Sequence, residues 1–280
     1  MRVLLFALRA PLVAAWVLCG LLTIGLVFVW VGHRGRLAIK RHWSRVLLAL
    51  CGIRTLTEGQ PVSSGAVLWA VNHVSWLDIF VLNVVRPTAF VAKQEIRHWP
   101  LIGWLAAGAD TIFIERGFRH AVHRVGQAMK RRFDRGQAVG LFPEGTTSDG
   151  FDVLSFYGNL FEPARTPGVT VQPVALRYYY RNKRSSYAAF VGEQTLVENL
   201  WLVLGTTGLS VEMVFLPPIT SAHSDKPPRA ELAKLTRHAI REAVLVHRPL
   251  QPAQGSSDAA EQVPDQTPED KTQQANGSIS

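Results

Sequence analysis

A chain of 280 residues with 48% hydrophobic content can bury one sizeable core and still carry appendages, and its formal charge of +9 points to an anionic partner: nucleic acid, a membrane surface or a phosphorylated substrate. The charge is unevenly spread, because residues 251–280 hold five acids against one lysine and so leave about +13 on residues 1–250. Only two cysteines occur, Cys19 inside one apolar stretch and Cys51 after another, which excludes a disulfide framework and points to a reducing compartment.

Residues 11–32, PLVAAWVLCGLLTIGLVFVWVG, contain no charge. As a helix they would extend about 33 Å, matching the hydrocarbon thickness of a bilayer. Arg2 and Arg9 look like the basic end of a signal peptide, yet the run is long and no small-x-small cleavage site follows it. The segment is therefore read as retained, either as a single span or as a helix that turns back within one leaflet.

The next stretch, 33–53, interleaves Arg34, Arg36, Lys40, Arg41 and Arg45 with Leu37, Ile39, Trp43 and Val46. A basic helix with a wide apolar face suits the headgroup region, and its charge favours the cytoplasmic side. The plainer alternative is a surface helix packed on the globular body.

From Gly59 onward apolar runs of strand length occur at 66–71, 89–92, 111–114, 138–142, 169–176, 187–191 and 211–216, several separated by helix-length stretches. The expected fold class is α/β: a mostly parallel mixed sheet flanked by helices, preceded by the membrane-associated helical segment. Ligands then gather beyond the carboxyl ends of the strands. Residues 118–135 predict an amphipathic helix with Val122, Val125, Met129 and Phe133 on one side and basic residues on the other. The tail at 251–280, polar and acidic, predicts disorder. The expected division is 1–55, 56–250 and 251–280. No internal repeat and no metal-spaced Cys/His cluster occurs in the sequence, so neither a metal nor a cofactor is expected.

Two clusters carry chemistry. In Asn72-His73-Val74-Ser75-Trp76-Leu77-Asp78, a strand-to-helix turn would let Asp78 accept a hydrogen bond from one nitrogen of His73 and leave the other free to take a proton. The competing reading makes Ser75 a helix cap and Asp78 the closing member of a capping box. The second cluster, Phe142-Pro143-Glu144-Gly145-Thr146-Thr147-Ser148, puts a carboxylate and an unhindered backbone N–H at the end of a strand, or else is a plain turn.

NHVSWLD resembles the Asn-His-four residues-Asp signature of glycerolipid acyltransferases, and FPEGTTS resembles their Phe-Pro-Glu-Gly-Thr block. GADTIFIERG and VQPVAL are similar to two further blocks, and Lys93 and Glu95 in AKQEIRHWP fit as well. Over residues 60–220 the chain thus resembles the 1-acyl-glycerol-3-phosphate (lysophosphatidic acid) acyltransferase family.

The resemblance implies that a fatty acyl group moves from acyl carrier protein or coenzyme A thioester to the sn-2 hydroxyl of 1-acyl-glycerol-3-phosphate, making phosphatidic acid. It makes His73 the general base and Asp78 its orienting partner, and puts the oxyanion near the Gly145 N–H. Lys93 and Arg116 would hold the acceptor's phosphate, with Glu144, Gly145 and Thr146 completing the substrate site. Glu144, itself an anion, would bond the acceptor's hydroxyls or orient a basic group. The implied partners are a lysophospholipid, an acyl carrier protein or acyl coenzyme A, and membrane lipids, on the cytoplasmic face of a bacterial inner membrane.

One departure matters: many family members carry Arg where this chain has Thr147, which favours a second acceptor such as lyso-ornithine lipid. Arg177, Arg181, Lys183 and Arg184 are candidates to replace the missing cation. Rival classes fit less well. A non-catalytic membrane-anchored binding protein leaves His73, Asp78 and Glu144 unexplained, no nucleic-acid-binding motif occurs, and an esterase would need a Gly-x-Ser-x-Gly turn that is missing.

Overall fold

The computed structural model describes residues 1–115, 119–219, 227–246 and 250. Arg116 and the acidic tail lie outside them. Residues 1–250 form one compact unit.

Among the described residues eight strands make one mixed sheet: β1 Ile53–Gly59, β2 Val67–Val71, β3 Ala89–Lys93, β4 Ile112–Ile114, β5 Ala138–Leu141, β6 Thr170–Tyr180, β7 Lys183–Arg184 and β8 Leu209–Phe215. Their order is β1-β8-β6-β2-β5-β3-β4, with β7 paired to β6. The run β6-β2-β5-β3-β4 is parallel throughout, whereas β8 is antiparallel to β6 and β1 is parallel to β8. Every residue of β2 and β5 is buried, as expected for central strands covered on both faces. Side chains alternate between the two cores: Val67, Trp69 and Val71 join one with Leu47, Leu48 and Leu82, while Leu68 and Ala70 join the other with Met129, Phe133, Phe161 and Leu232.

Among the described residues seven α-helices pack on the sheet or on one another: α1 Arg2–Leu22, α2 His33–Leu50, α3 Asp78–Val85, α4 Ile102–Gly108, α5 Arg119–Phe133, α6 Leu196–Leu204 and α7 Arg229–Leu245. A π turn, Thr23–Val27, continues α1. The start of α6 is fixed by a capping box between Thr195 and Glu198. Along α5 the predicted stripe is confirmed where Val125, Met129 and Phe133 are buried.

Two expectations are corrected. Residues 53–59, whose polar alternation in RTLTEG gives little apolar signal, form edge strand β1, so a boundary at residue 55 falls inside a strand. Residues 187–191 form no strand; Ala188 and Ala189 are apolar because they are buried in the core, and Phe190 N–H donates to Val74 O at 2.9 Å.

The N-terminal helices are bound to the body more tightly than a headgroup-facing segment needs to be. Arg9 donates to Thr206 O at 2.5 Å and to Leu204 O at 3.3 Å, where α6 ends. Lys40 donates to Thr88 O at 2.6 Å and to Ala109 O at 2.8 Å, and Arg41 donates to Val85 O, the last carbonyl of α3. These cations sit where helices α3, α4 and α6 present their negative ends and unpaired carbonyls. Two of the basic residues assigned from the sequence to the headgroup-facing helix, Lys40 and Arg41, thus point inward, and so does Arg9. Burial lowers the Lys40 ammonium to about 8.

Candidate active site

Because β2, β5, β3 and β4 are parallel neighbours, their carboxyl ends share one edge of the sheet. His73 follows β2, the Phe142–Ser148 loop follows β5, and Lys93 closes β3. At about 4.8 Å per strand, the strand bearing Lys93 lies roughly 10 Å from the strand bearing His73. Lys93 and Thr146 are both exposed there.

The histidine and the aspartate meet. Asp78 is the first residue of α3, wholly buried, and its Oδ2 lies 2.8 Å from His73 Nδ1. The same oxygen accepts from the backbone N–H of Val74 at 2.8 Å and of Ser75 at 3.0 Å. Oδ1 accepts from the hydroxyl of Tyr178 on β6. An acceptor-only carboxylate surrounded in this way requires Nδ1 to carry hydrogen, which leaves Nε2 as the basic nitrogen. Uncompensated burial of a carboxylate costs several kcal/mol, and charge-assisted hydrogen bonds at about 1.5–3 kcal/mol each offset it. The capping alternative is partly absorbed: Asp78 does bond Ser75 N–H, but the helix begins at Asp78 and Ser75 is not its cap.

The imidazole is 21% exposed, so a substrate can reach it. Its ring stacks on Phe142 with centroids 4.0 Å apart, and Phe142 stacks on Phe90 at 5.7 Å. Phe90 in turn lines an apolar cavity of about 280 Å³ enclosed by α1, α2, α3 and α4, with Trp43, Trp76 and Leu105 among its walls.

From the sequence Glu144 is expected to bond the acceptor's hydroxyls or to orient a basic group; in the structure both of its oxygens are taken by backbone N–H groups. It is buried, its Oε1 accepts from His73 N–H at 2.7 Å, and its Oε2 accepts from Leu154 N–H at 2.9 Å. Both oxygens hold backbone, so the carboxylate positions the His73 turn and does not reach out to an acceptor's hydroxyls. Burial pushes its carboxyl above the usual range. Gly145 also departs from expectation: its N–H donates to Phe142 O at 3.0 Å, closing a turn that its φ of +71° permits, and so is not presented to an oxyanion. Arg116 lies outside the described residues.

Thr147 donates its hydroxyl hydrogen to Phe190 O. The nearby cations are mostly engaged elsewhere: Arg177 is buried, bonded to Glu212 at 3.1 Å and to Ala243 O, and Arg184 donates to Gly150 O. Arg177 and Arg184 are therefore not free to replace an arginine at position 147. Among the described residues no group of three or more His, Cys, Asp or Glu side chains is arranged to hold a metal ion, and Cys19 and Cys51 are both free thiols.

One residue that the sequence did not single out, Tyr178, and one whose role it left open, Asn72, hold this geometry. Tyr178 is buried, and burial beside the Asp78 charge raises its hydroxyl well above the ordinary phenol range, which keeps it a donor. Asn72 pins the end of β2 to β6, donating to Leu176 O at 3.1 Å and accepting from Leu176 N–H at 2.7 Å. For Tyr178 the hint in sequence was that a tyrosine inside an apolar strand must bond its hydroxyl to something; for Asn72 it was the place beside His73 in the Asn-His signature.

This construction is that of an acyltransferase enzyme, and the Acyltransferase family pattern matches residues 53–177. The chain belongs to the Acyltransferase family, as a lysolipid acyltransferase. It is 36% identical over 239 residues to lyso-ornithine lipid O-acyltransferase of Pseudomonas aeruginosa, covering 81% of this chain and 91% of that protein. It is 40% identical over 169 residues to 1-acyl-sn-glycerol-3-phosphate acyltransferase of Neisseria gonorrhoeae, covering 59% and 65%. Its fold is similar to the crystal structure of the 1-acyl-sn-glycerophosphate acyltransferase PlsC from Thermotoga maritima, with a TM-score of 0.60, 21% identity, and 87% and 96% of the two chains covered.

Proposed function

We propose that this acyltransferase moves a fatty acyl chain from a thioester of acyl carrier protein or coenzyme A to the sn-2 hydroxyl of 1-acyl-glycerol-3-phosphate at a membrane surface. The observation that carries the proposal is the His73 ring, oriented by Asp78 and separated by two stacked phenyl rings from an apolar cavity suited to an acyl chain. Nε2 of His73 takes the hydroxyl proton as that oxygen attacks the thioester carbon. The ester C–O bond forms, the C–S bond breaks, and the proton passes to the departing thiolate. A lipid alcohol is too weak an acid to ionise first, so proton removal and attack are concerted. Lys93 and Arg116 are assigned to the acceptor's phosphate.

A second acceptor is favoured by one observation: position 147, where the family resemblance leads one to expect an arginine, is a threonine whose hydroxyl is turned to Phe190 O. Lyso-ornithine lipid presents an amino acid rather than a phosphate monoester, and does not need that charge.

The test supplies the purified full-length enzyme with labelled acyl donor and a panel containing both lysolipids. Turnover of either one by wild type, lost in a folded His73→Ala variant, supports the proposal. Full turnover in His73→Ala rules out His73 as the base, and the ratio of the two products selects the acceptor.

A further inference from the structure

Helices α5 and α7 cover the face of the sheet opposite α1. Leu232 and Ala233 of α7 share a core with Met129 of α5 and with Leu68 and Ala70 of β2, whereas Val13 of α1 joins Val67, Trp69 and Val71 on the other side. The α7 face holds an open groove of about 410 Å³ between that helix and residues 155–159. Arg229, Ala233, Lys234 and Arg237 share one side of α7 by helical spacing and form one wall, while Ser155 and Asn159 belong to the other. Three cations and, among the described residues, no acid line it.

The groove is tied to the reacting histidine by a short chain of bonds. Arg237 donates from Nε to Leu154 O at 2.7 Å and from Nη2 to Val153 O at 2.6 Å. The N–H of Leu154 is held by Glu144, whose other oxygen holds the N–H of His73. Tyr157 N–H donates to Pro143 O at 2.9 Å, and the next residue, Gly158, lies against α7: a Cβ there would sit 3.5 Å from Arg229 O and 3.6 Å from Ala233 Cβ. One wall of the groove is thus the far end of the loop that begins with Glu144. The acyl transfer argued above uses none of this charge.

Since α1 is the one described helix apolar enough to cross a bilayer, a groove on the opposite face opens to water, and its anionic partner is a soluble one. Leu154, Tyr157 and Leu235 adjoin the lining in the chain and are exposed. Apolar contacts interleaved with positive charge on an open surface suit an acidic amphipathic helix, whereas a nucleotide's rings call for an enclosed slot. We propose that this groove docks acyl carrier protein as the acyl donor, an acidic helix of the carrier set against Arg229 and Lys234 and its thioester arm reaching over the 143–157 loop to His73. The inference rests on the proposed acyl transfer and selects the carrier protein over coenzyme A.

The double variant Arg229→Glu/Lys234→Glu reverses two exposed charges and leaves Arg237, which braces the loop, in place. In the purified full-length enzyme the KM for palmitoyl acyl carrier protein should rise about tenfold, with kcat, the KM for palmitoyl coenzyme A and the KM for acceptor unchanged. Wild type should bind fluorescein-labelled holo acyl carrier protein without acceptor present; the double variant should lose that binding, and Arg229→Lys/Lys234→Arg should keep it. An unchanged KM for the carrier-linked donor would overturn the proposal, and so would an equal rise for both donors, which would give the groove to a phosphate that they share. The single variants Arg229→Glu and Lys234→Glu decide the question if the double variant does not fold. Wild type that acylates a lysolipid from palmitoyl coenzyme A but binds no holo carrier would sink the docking and leave the reaction standing. Carrier binding that depends on Arg229 and Lys234, in an enzyme that acylates no lysolipid, would leave the docking intact and refute the proposed reaction.

Discussion

The hydroxyl of Tyr178 bonds Oδ1 of Asp78 from 100 residues away, while Oδ2 of the same carboxylate holds His73. Replacing Tyr178 by Phe removes one donor from the buried carboxylate and loosens the anchor that orients His73. The expected result is about a tenfold fall in kcat, on the order of 1.4 kcal/mol, with the KM for acceptor hardly changed. A tyrosine that only filled space would lower the melting temperature and leave kcat in place.

Removal of the Glu144 carboxylate strands two backbone donors, His73 N–H and Leu154 N–H. Each buried donor without an acceptor costs about 1–3 kcal/mol. Glu144→Ala is expected to melt earlier and to lose kcat while its KM for acceptor hardly changes. A normal melting temperature with a raised acceptor KM would make the carboxylate a substrate contact after all.

Gly140 on β5 faces the Phe90 ring so closely that a Cβ would lie 2.3 Å from one of its carbons. Gly140→Ala must push that ring, and with it the stack through Phe142 to His73. Overpacking of this kind costs about 1–3 kcal/mol. Denaturant midpoints should fall accordingly, together with kcat for long-chain donors.

Lys40 is a base whose folded value, about 8, lies below its ordinary 10.5. Between those values the unfolded chain binds more protons than the native protein, so this group's contribution to stability grows as pH rises from 8 to 10.5 and is lost as pH falls through 8. Lys40→Met should therefore gain on wild type below pH 8, less whatever is lost with the bonds to Thr88 O and Ala109 O, and the gap should move against the variant at higher pH. Melting curves at pH 7 and pH 10 measure this. A gap independent of pH would mean that Lys40 keeps its ordinary proton affinity.

The parallel core and the His73–Asp78 pair were legible because both are local: β2, β3, β4 and β5 are short apolar runs, and a strand-to-helix turn brings residues five apart together. What the sequence concealed was non-local. Glu144 looked outward-facing because its true partners are backbone N–H groups, which every residue carries and no letter records. Tyr178 was invisible as Asp78's second partner because β6 reaches β2 only through sheet topology. The strand expected at 187–191 failed for a related reason, since apolar character reports burial, and Ala188 and Ala189 are buried without pairing. Edge strand β1 escaped notice because its exposed residues Arg54 and Thr57 have no need to be apolar.

The inward-pointing cations of the first two helices carry a practical consequence. Cutting away residues 1–50 to obtain a water-soluble catalytic fragment would strip Arg9, Lys40 and Arg41 from the carbonyls that they hold, and would uncover the core faces behind Leu47 and Leu48. Such a fragment should accumulate as aggregate when expressed, whereas detergent-extracted intact chain should run as a discrete species on size exclusion. What resembles a removable handle is a wall of the catalytic body, and preparations of this enzyme must keep it.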